Sequence, residues 1–158
     1  MTIEYRIATP DDIDALVRMR LDFQRDIKGD AWIAQQVPDY AHYTHLMRTY
    51  FETTLGTDAL LAAIATENGQ AFSISLAYVF LTSPHPLYFS GKEARLSSVY
   101  TEPAYRKRGH AKRLIELLIN ELRQQDVGRI TLEYTPEALP MYESLGFTIR
   151  ERHMHMLL

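Results

Sequence analysis

The 158-residue chain has no cysteine. That removes a disulfide scaffold, a thiol nucleophile and a thiolate-bound metal from consideration, and it fits a reducing compartment. No single sign of charge dominates. Seventeen Lys and Arg stand against 20 Asp and Glu, a formal charge of −3, so the protein as a whole is not a polyanion binder. No apolar run approaches the ~18–20 residues that a membrane span needs. The opening MTIEYRIATPDD is charged early and lacks the apolar core of a signal peptide. These absences predict a cytoplasmic protein with no membrane partner. No repeat, low-complexity tract or linker breaks the chain, and residues 1–158 are expected to form a single domain. With 46% hydrophobic residues, a chain of this length can bury a substantial core.

The patterning predicts an α/β protein. IEYRIA (3–8) alternates apolar and polar residues and reads as a strand. TPDDIDALVRMRLDFQRDI reads as a helix, with Thr9 as N-cap, Pro10 in the first turn and Asp11 and Asp12 at the positive end of the dipole. Its apolar side, Ile13, Leu16, Phe23 and Ile27, is interrupted by Arg20. PDYAHYTHLMRTYFETTLG suggests a second helix. ALLAAIATENGQAFSISLAYVFL reads as two strands about an Asn68-Gly69 turn. After the loop SPHPLYFSG come a strand (ARLSSVY), a helix (GHAKRLIELLINELRQQ), a strand (RITLEY), a short helix (PEALPMYESLG) and a terminal strand (FTIRERHMHML). The hairpin is antiparallel and the later strand–helix–strand units parallel, so the central sheet is expected to be mixed, with helices on both faces.

The densest positive charge lies in PAYRKRGHAKRL, where Arg106, Lys107, Arg108, Lys112 and Arg113 surround Gly109 directly before the helix. A helix start offers unpaired amides and the positive end of a dipole. Glycine lets a ligand approach the backbone, and arginine adds forked donors. Strand, glycine turn and helix N-terminus together read as an anion site. It is no P-loop, because no Gly-Lys-Ser/Thr run follows, and no dinucleotide fingerprint, because G-x-G-x-x-G is missing.

The spacing Arg106-x-x-Gly109-x-Ala111, within VYTEPAYRKRGHAKRL, resembles the pyrophosphate-binding signature of the GNAT superfamily of acyl-CoA-dependent N-acetyltransferases. TPEALPMYESLGF resembles the superfamily's later motif, and YRIATPDDIDALVRMR its first strand and helix. The resemblance spans nearly the whole chain. It implies a GNAT-like fold and acetyl-CoA as co-substrate. The backbone of Val99 and Thr101 would hold the pantetheine arm, and amides of Arg106, Lys107, Arg108, Gly109, His110 and Ala111 would hold the diphosphate. Tyr142 would act as general acid for the departing thiolate. His110 replaces the usual aliphatic residue, and Thr135 stands where many members carry an asparagine that contacts the cofactor.

Aminolysis of a thioester independently needs these parts. An alkyl amine titrates near ~10.4, so something must take its proton. Glu133, in RITLEY, is the candidate base, directly or through water, with Glu102 as the alternative and a water chain as a third route. The acceptor is an amine on a small molecule, a peptide or a protein. Trp32, Tyr40, Tyr43 and Tyr50 line either its pocket or the core. His153 and His155 share a strand face but have no third ligand in view, so no metal is expected. His42 and His45 read as ordinary polar residues of a helix face. A non-catalytic acyl-CoA-binding domain of the same fold is the alternative. Nucleic acid is disfavoured by the acidic total. A homodimer is expected from the apolar residues near the end of the chain.

Overall fold

The computed structural model describes residues 2–150 and 152–158. Its five-stranded sheet runs in the order β1-β2-β3-β4-β5: β1 (Ile3–Ile7), β2 (Leu60–Glu67), β3 (Gln70–Leu81), β4 (Lys92–Thr101) and β5 (Arg129–Thr131). The first three pairings are antiparallel, and β4 with β5 is parallel. Asn68 (φ 50°) and Gly69 (φ 81°) take the left-handed conformation that a tight hairpin turn requires.

The helices are α1 (Ile13–Lys28), α2 (Asp30–Gln36), α3 (Tyr40–Thr54), α4 (His110–Gln124) and α5 (Leu139–Ser144). Pro10–Asp12 forms a 3-10 turn leading into α1. The Thr9 amide donates to Asp12 Oδ2 at 2.8 Å, and Arg6 grips the same carboxylate with both terminal nitrogens at 2.7 and 2.9 Å. That fork holds the Asp12 carboxyl below its ordinary range.

Each sheet face carries its own core. Leu16, Val17 and Met19 of α1 and Phe51 of α3 pack with Ile64, Ile74 and Leu76 on one face. Leu114, Ile115, Leu118 and Leu122 of α4 pack with Ala63, Phe72 and Leu96 on the other, and Tyr142 of α5 joins them. The expected mixed sheet with helices on both faces is the observed one.

The structure differs from the sequence expectation at four places. The short helix α2 was not anticipated. Ile27, expected on the inner side of α1, is 50% exposed. Ladder pairing in RITLEY stops at Thr131, and Leu132 and Glu133 run on without a partner strand. The terminal strand expected over 147–157 is not formed: among the described residues 148–150 and 152–158 no strand is present and all are exposed, while Glu151 lies outside the described residues. The reason is in its pattern. One face of such a strand would carry Arg150 and Arg152 with its methionines, and the other His153 and His155. Neither face is apolar throughout, so burying either costs charge or polar desolvation.

Candidate active site

β4 is irregular where chemistry was expected. Its ladder with β3 passes from Ser97↔Leu76 to Tyr100↔Ile74, so Ser98 and Val99 oppose Ser75 alone. Ser98 absorbs the extra residue with φ 51°, which makes this a β-bulge. On the other side, β4 and β5 pair only at Glu93↔Arg129, Ala94↔Ile130 and Arg95↔Thr131. Beyond Arg95 the two parallel strands part. The edge of β4 from Leu96 to Thr101 therefore has no partner strand among the described residues, and Val99 and Thr101 lie along it.

This edge leads into the basic turn. Arg106 folds back, donating from Nε to the Thr101 carbonyl at 2.8 Å and from Nη2 to Asp26 at 3.1 Å, with its guanidinium 5.6 Å from the Tyr100 ring centre. Its side chain shapes the turn. Lys107 (φ 61°) and Gly109 (φ 82°) are both left-handed, and Gly109 caps α4. A Cβ on Gly109 would meet open space. The amides of the first turn of α4 thus face an uncrowded opening. Arg108 and Ala111 flank it.

His110 sends its side chain into the core instead. It is 7% exposed, its Nδ1 lies 2.6 Å from the Tyr5 hydroxyl, and the Phe72 ring meets it edge-on at 4.8 Å. Burial, with the guanidiniums of Arg108 and Arg113, lowers its pKa. The imidazole fills the place an aliphatic residue would take, and only its backbone remains available to an anion.

Tyr142 is 5% exposed and packs edge-on to Phe147. Burial pushes its phenol up to about 12. It belongs to the same core cluster as Leu96, Val99 and Leu132. Its hydroxyl makes no hydrogen bond among the described residues and is not one of their enclosed, unpartnered atoms, which leaves its tip open. Glu133 is exposed and has no ion-pair or hydrogen-bond partner among the described residues. Glu102 is engaged elsewhere, accepting from Arg18 at 2.7 Å. Val99 and Thr101 thus lie on the free edge of β4 that leads into the 106–111 turn, Tyr142 is buried in the core beneath α4, and Glu133 follows two residues after the end of β5.

A cavity of about 370 Å³ lies on the other side of the bulge, lined by Arg20, Met47, Tyr50, Tyr78, Arg95 and Ser97. Arg20 reaches it from α1 and donates to Ser98 Oγ at 2.8 Å. Of the aromatics proposed for an acceptor pocket, Tyr50 is there. Tyr40 and Tyr43 instead hydrogen-bond Arg25 and Gln24, and Trp32 stands exposed beside Lys28. Arg95 and Ser98 were missed in the sequence. Arg20 left a signal, being a cation on an otherwise apolar helix face.

The fold and the sequence both match known proteins. The structure superposes on a GCN5-related N-acetyltransferase from Ralstonia eutropha JMP134 with a TM-score of 0.81 at 20% identity, covering 99% of both chains. It superposes on a predicted acetyltransferase with acetyl-CoA from Clostridium acetobutylicum with a TM-score of 0.79 at 23% identity, covering 99% of this chain and 96% of that one. These likenesses establish the fold. In sequence, the chain is 32% identical over 94 residues to the [ribosomal protein bS18]-alanine N-acetyltransferase of Escherichia coli (strain K12), across 56% of this chain and 57% of that one. It therefore spans little more than half the length of that curated relative. Residues 24–147 match the Acetyltransferase (GNAT) family. That span takes in the bulge, the basic turn and Tyr142, and the chain belongs to this family.

Proposed function

We propose that the chain transfers an acetyl group from acetyl-CoA to a primary amine by direct attack on the thioester. The observation that carries the reading is the short pairing of β4 with β5, which leaves the edge of β4 free as it leads into the N-terminus of α4; Tyr142, in the core cluster with Leu96 and Leu132, supports it. The free edge of β4 suits a pantetheine arm held through the backbone of Val99 and Thr101. The amides of residues 106–111 suit a diphosphate.

In the reaction the C–N bond forms and the C–S bond breaks. The amine gives up a proton and the thiolate takes one. Backbone amides on the unpaired edge of β4 would polarise the thioester carbonyl. With its phenol up at about 12, Tyr142 is fully protonated at neutral pH and always able to donate. A thiol such as cysteine's titrates near ~8.5, below this phenol, so complete proton transfer from it is uphill. Tyr142 therefore acts chiefly by hydrogen-bonding the developing thiolate, which takes its proton from solvent as it leaves, in balance with the proton the amine gives up. Glu133, exposed two residues beyond β5, takes the amine's proton directly or through water.

Relatives named for acetylating a ribosomal-protein alanine support an amine acceptor, on a small molecule or on a protein. Acetyl-CoA supplied with a panel of amines should release free thiol. Acetyl-CoA binding without thiol release from any acceptor would make this chain an acyl-CoA-binding domain instead.

A further inference from the structure

The cavity beside the bulge carries two guanidiniums, from Arg20 and Arg95, and no carboxylate in its lining. Neither arginine makes an ion pair among the described residues. Nearby acids are already committed: Asp22 to Arg18 and Arg25, Asp26 to Arg106, Glu102 to Arg18. Arg20 is half-buried and held by the Ser98 hydroxyl at 2.8 Å. Arg95 lies over the Tyr78 ring at 6.0 Å and makes no hydrogen bond among the described residues, so all its donors are free. Both charges sit next to Ser97 and Ser98, directly before Val99. An acceptor entering here would meet the thioester with two unneutralised cations at its side.

Two like charges lining one cavity disfavour a polycation by Coulomb repulsion. They attract an oxyanion, which a guanidinium grips with paired donors. We infer that the acceptor carries an anionic oxygen group, a carboxylate or a phosphate, close to its amine, and that Arg20 and Arg95 bind that group in the cavity formed with Met47, Tyr50, Tyr78 and Ser97. The inference rests on the acetyl-transfer reading above. The same two cations favour the neutral form of an incoming amine, which lightens the task of a base as exposed as Glu133.

The test measures thiol release from acetyl-CoA with matched acceptors: amino acids against their carboxamides, aminoalkyl phosphates against the corresponding amino alcohols, and spermidine as a polycation. The acid members should exceed their neutral partners in kcat/KM by roughly tenfold or more, the worth of a charge-assisted hydrogen bond. Which acid series responds tells carboxylate from phosphate. Arg95→Glu should erase that preference mainly by raising the acceptor KM, with the thermal shift on adding CoA unchanged. Arg20→Met should reduce it in the same direction. Equal or better turnover of the neutral partners or of spermidine overturns this inference and leaves acetyl transfer standing. So does a preference that survives both substitutions. No thiol release from any acceptor overturns the transfer reading and this inference with it.

Discussion

The Tyr5 hydroxyl lies 2.6 Å from Nδ1 of His110, and the two rings stack with centres 5.9 Å apart. This contact ties β1 to the first residue of α4. The Nε2 atom of His110 is enclosed and has no partner among the described residues. A charged imidazole would leave a charged donor unmet there, beside Arg108 and Arg113, and Glu67 offsets them only in part.

The pH dependence follows. His110 has a folded pKa below its unfolded value near ~6.5, so the unfolded chain binds the extra proton first. Stability from the neutral ring is fully present above that value and is lost as pH falls below it. The melting temperature should fall between pH 7.5 and 5.5, and in His110→Leu it should fall less. An identical decline in the variant would assign the proton to another group.

Acetyl-CoA should raise the melting temperature by binding the folded state. Gly109→Glu should abolish that rise. Its φ of 82° penalises any side chain by about 1–2 kcal/mol, and the new charge would occupy the turn we propose for the diphosphate. Gly109→Ala carries the strain without the charge and should keep a reduced rise. A full shift in the Glu variant would put the cofactor elsewhere.

Tyr142→Phe should fold normally, because the ring keeps its packing against Phe147 and loses only one oxygen. Turnover should drop by roughly 10²–10³, the usual worth of a preorganised donor, while the KM for acetyl-CoA changes little. Turnover within about twofold of the parent, with chemistry shown to limit the rate, would remove the phenol from the mechanism.

Met154, Met156, Leu157 and Leu158 are exposed, an apolar group that a second copy can cover. A homodimer is therefore expected. Light scattering at micromolar concentration should give about twice the chain mass of 18.3 kDa, and removal of residues 152–158 should halve it. A monomeric mass for the intact chain rules the dimer out.

Much of the fold was legible because its signals are local. Asn68-Gly69 names its own turn, since few other residues accept two left-handed conformations in a row. Thr9-Pro10 with two aspartates names a helix start, and Leu114, Ile115, Leu118 and Leu122 name a buried face. Gly109 and Gly146 mark left-handed positions, whereas Arg106, Ala111, Tyr142 and Phe147 were legible through their resemblance to the GNAT motifs. The rest depends on partners far away in the chain. Ser98 carries no glycine or asparagine to announce its left-handed bulge; that conformation comes from fitting β4 against β3. RITLEY reads as a full strand, yet only three of its residues pair, because pairing needs a neighbour that stays parallel and β4 diverges. FTIRERHMHML has strand-like alternation but neither side is apolar enough to be buried. Arg20 and Arg95 are surface-grade cations in sequence, and they meet in one cavity only because α1 packs across β4. Local backbone preference is written residue by residue, whereas a shared cavity, a parted ladder and the charge within them exist only once distant segments have packed.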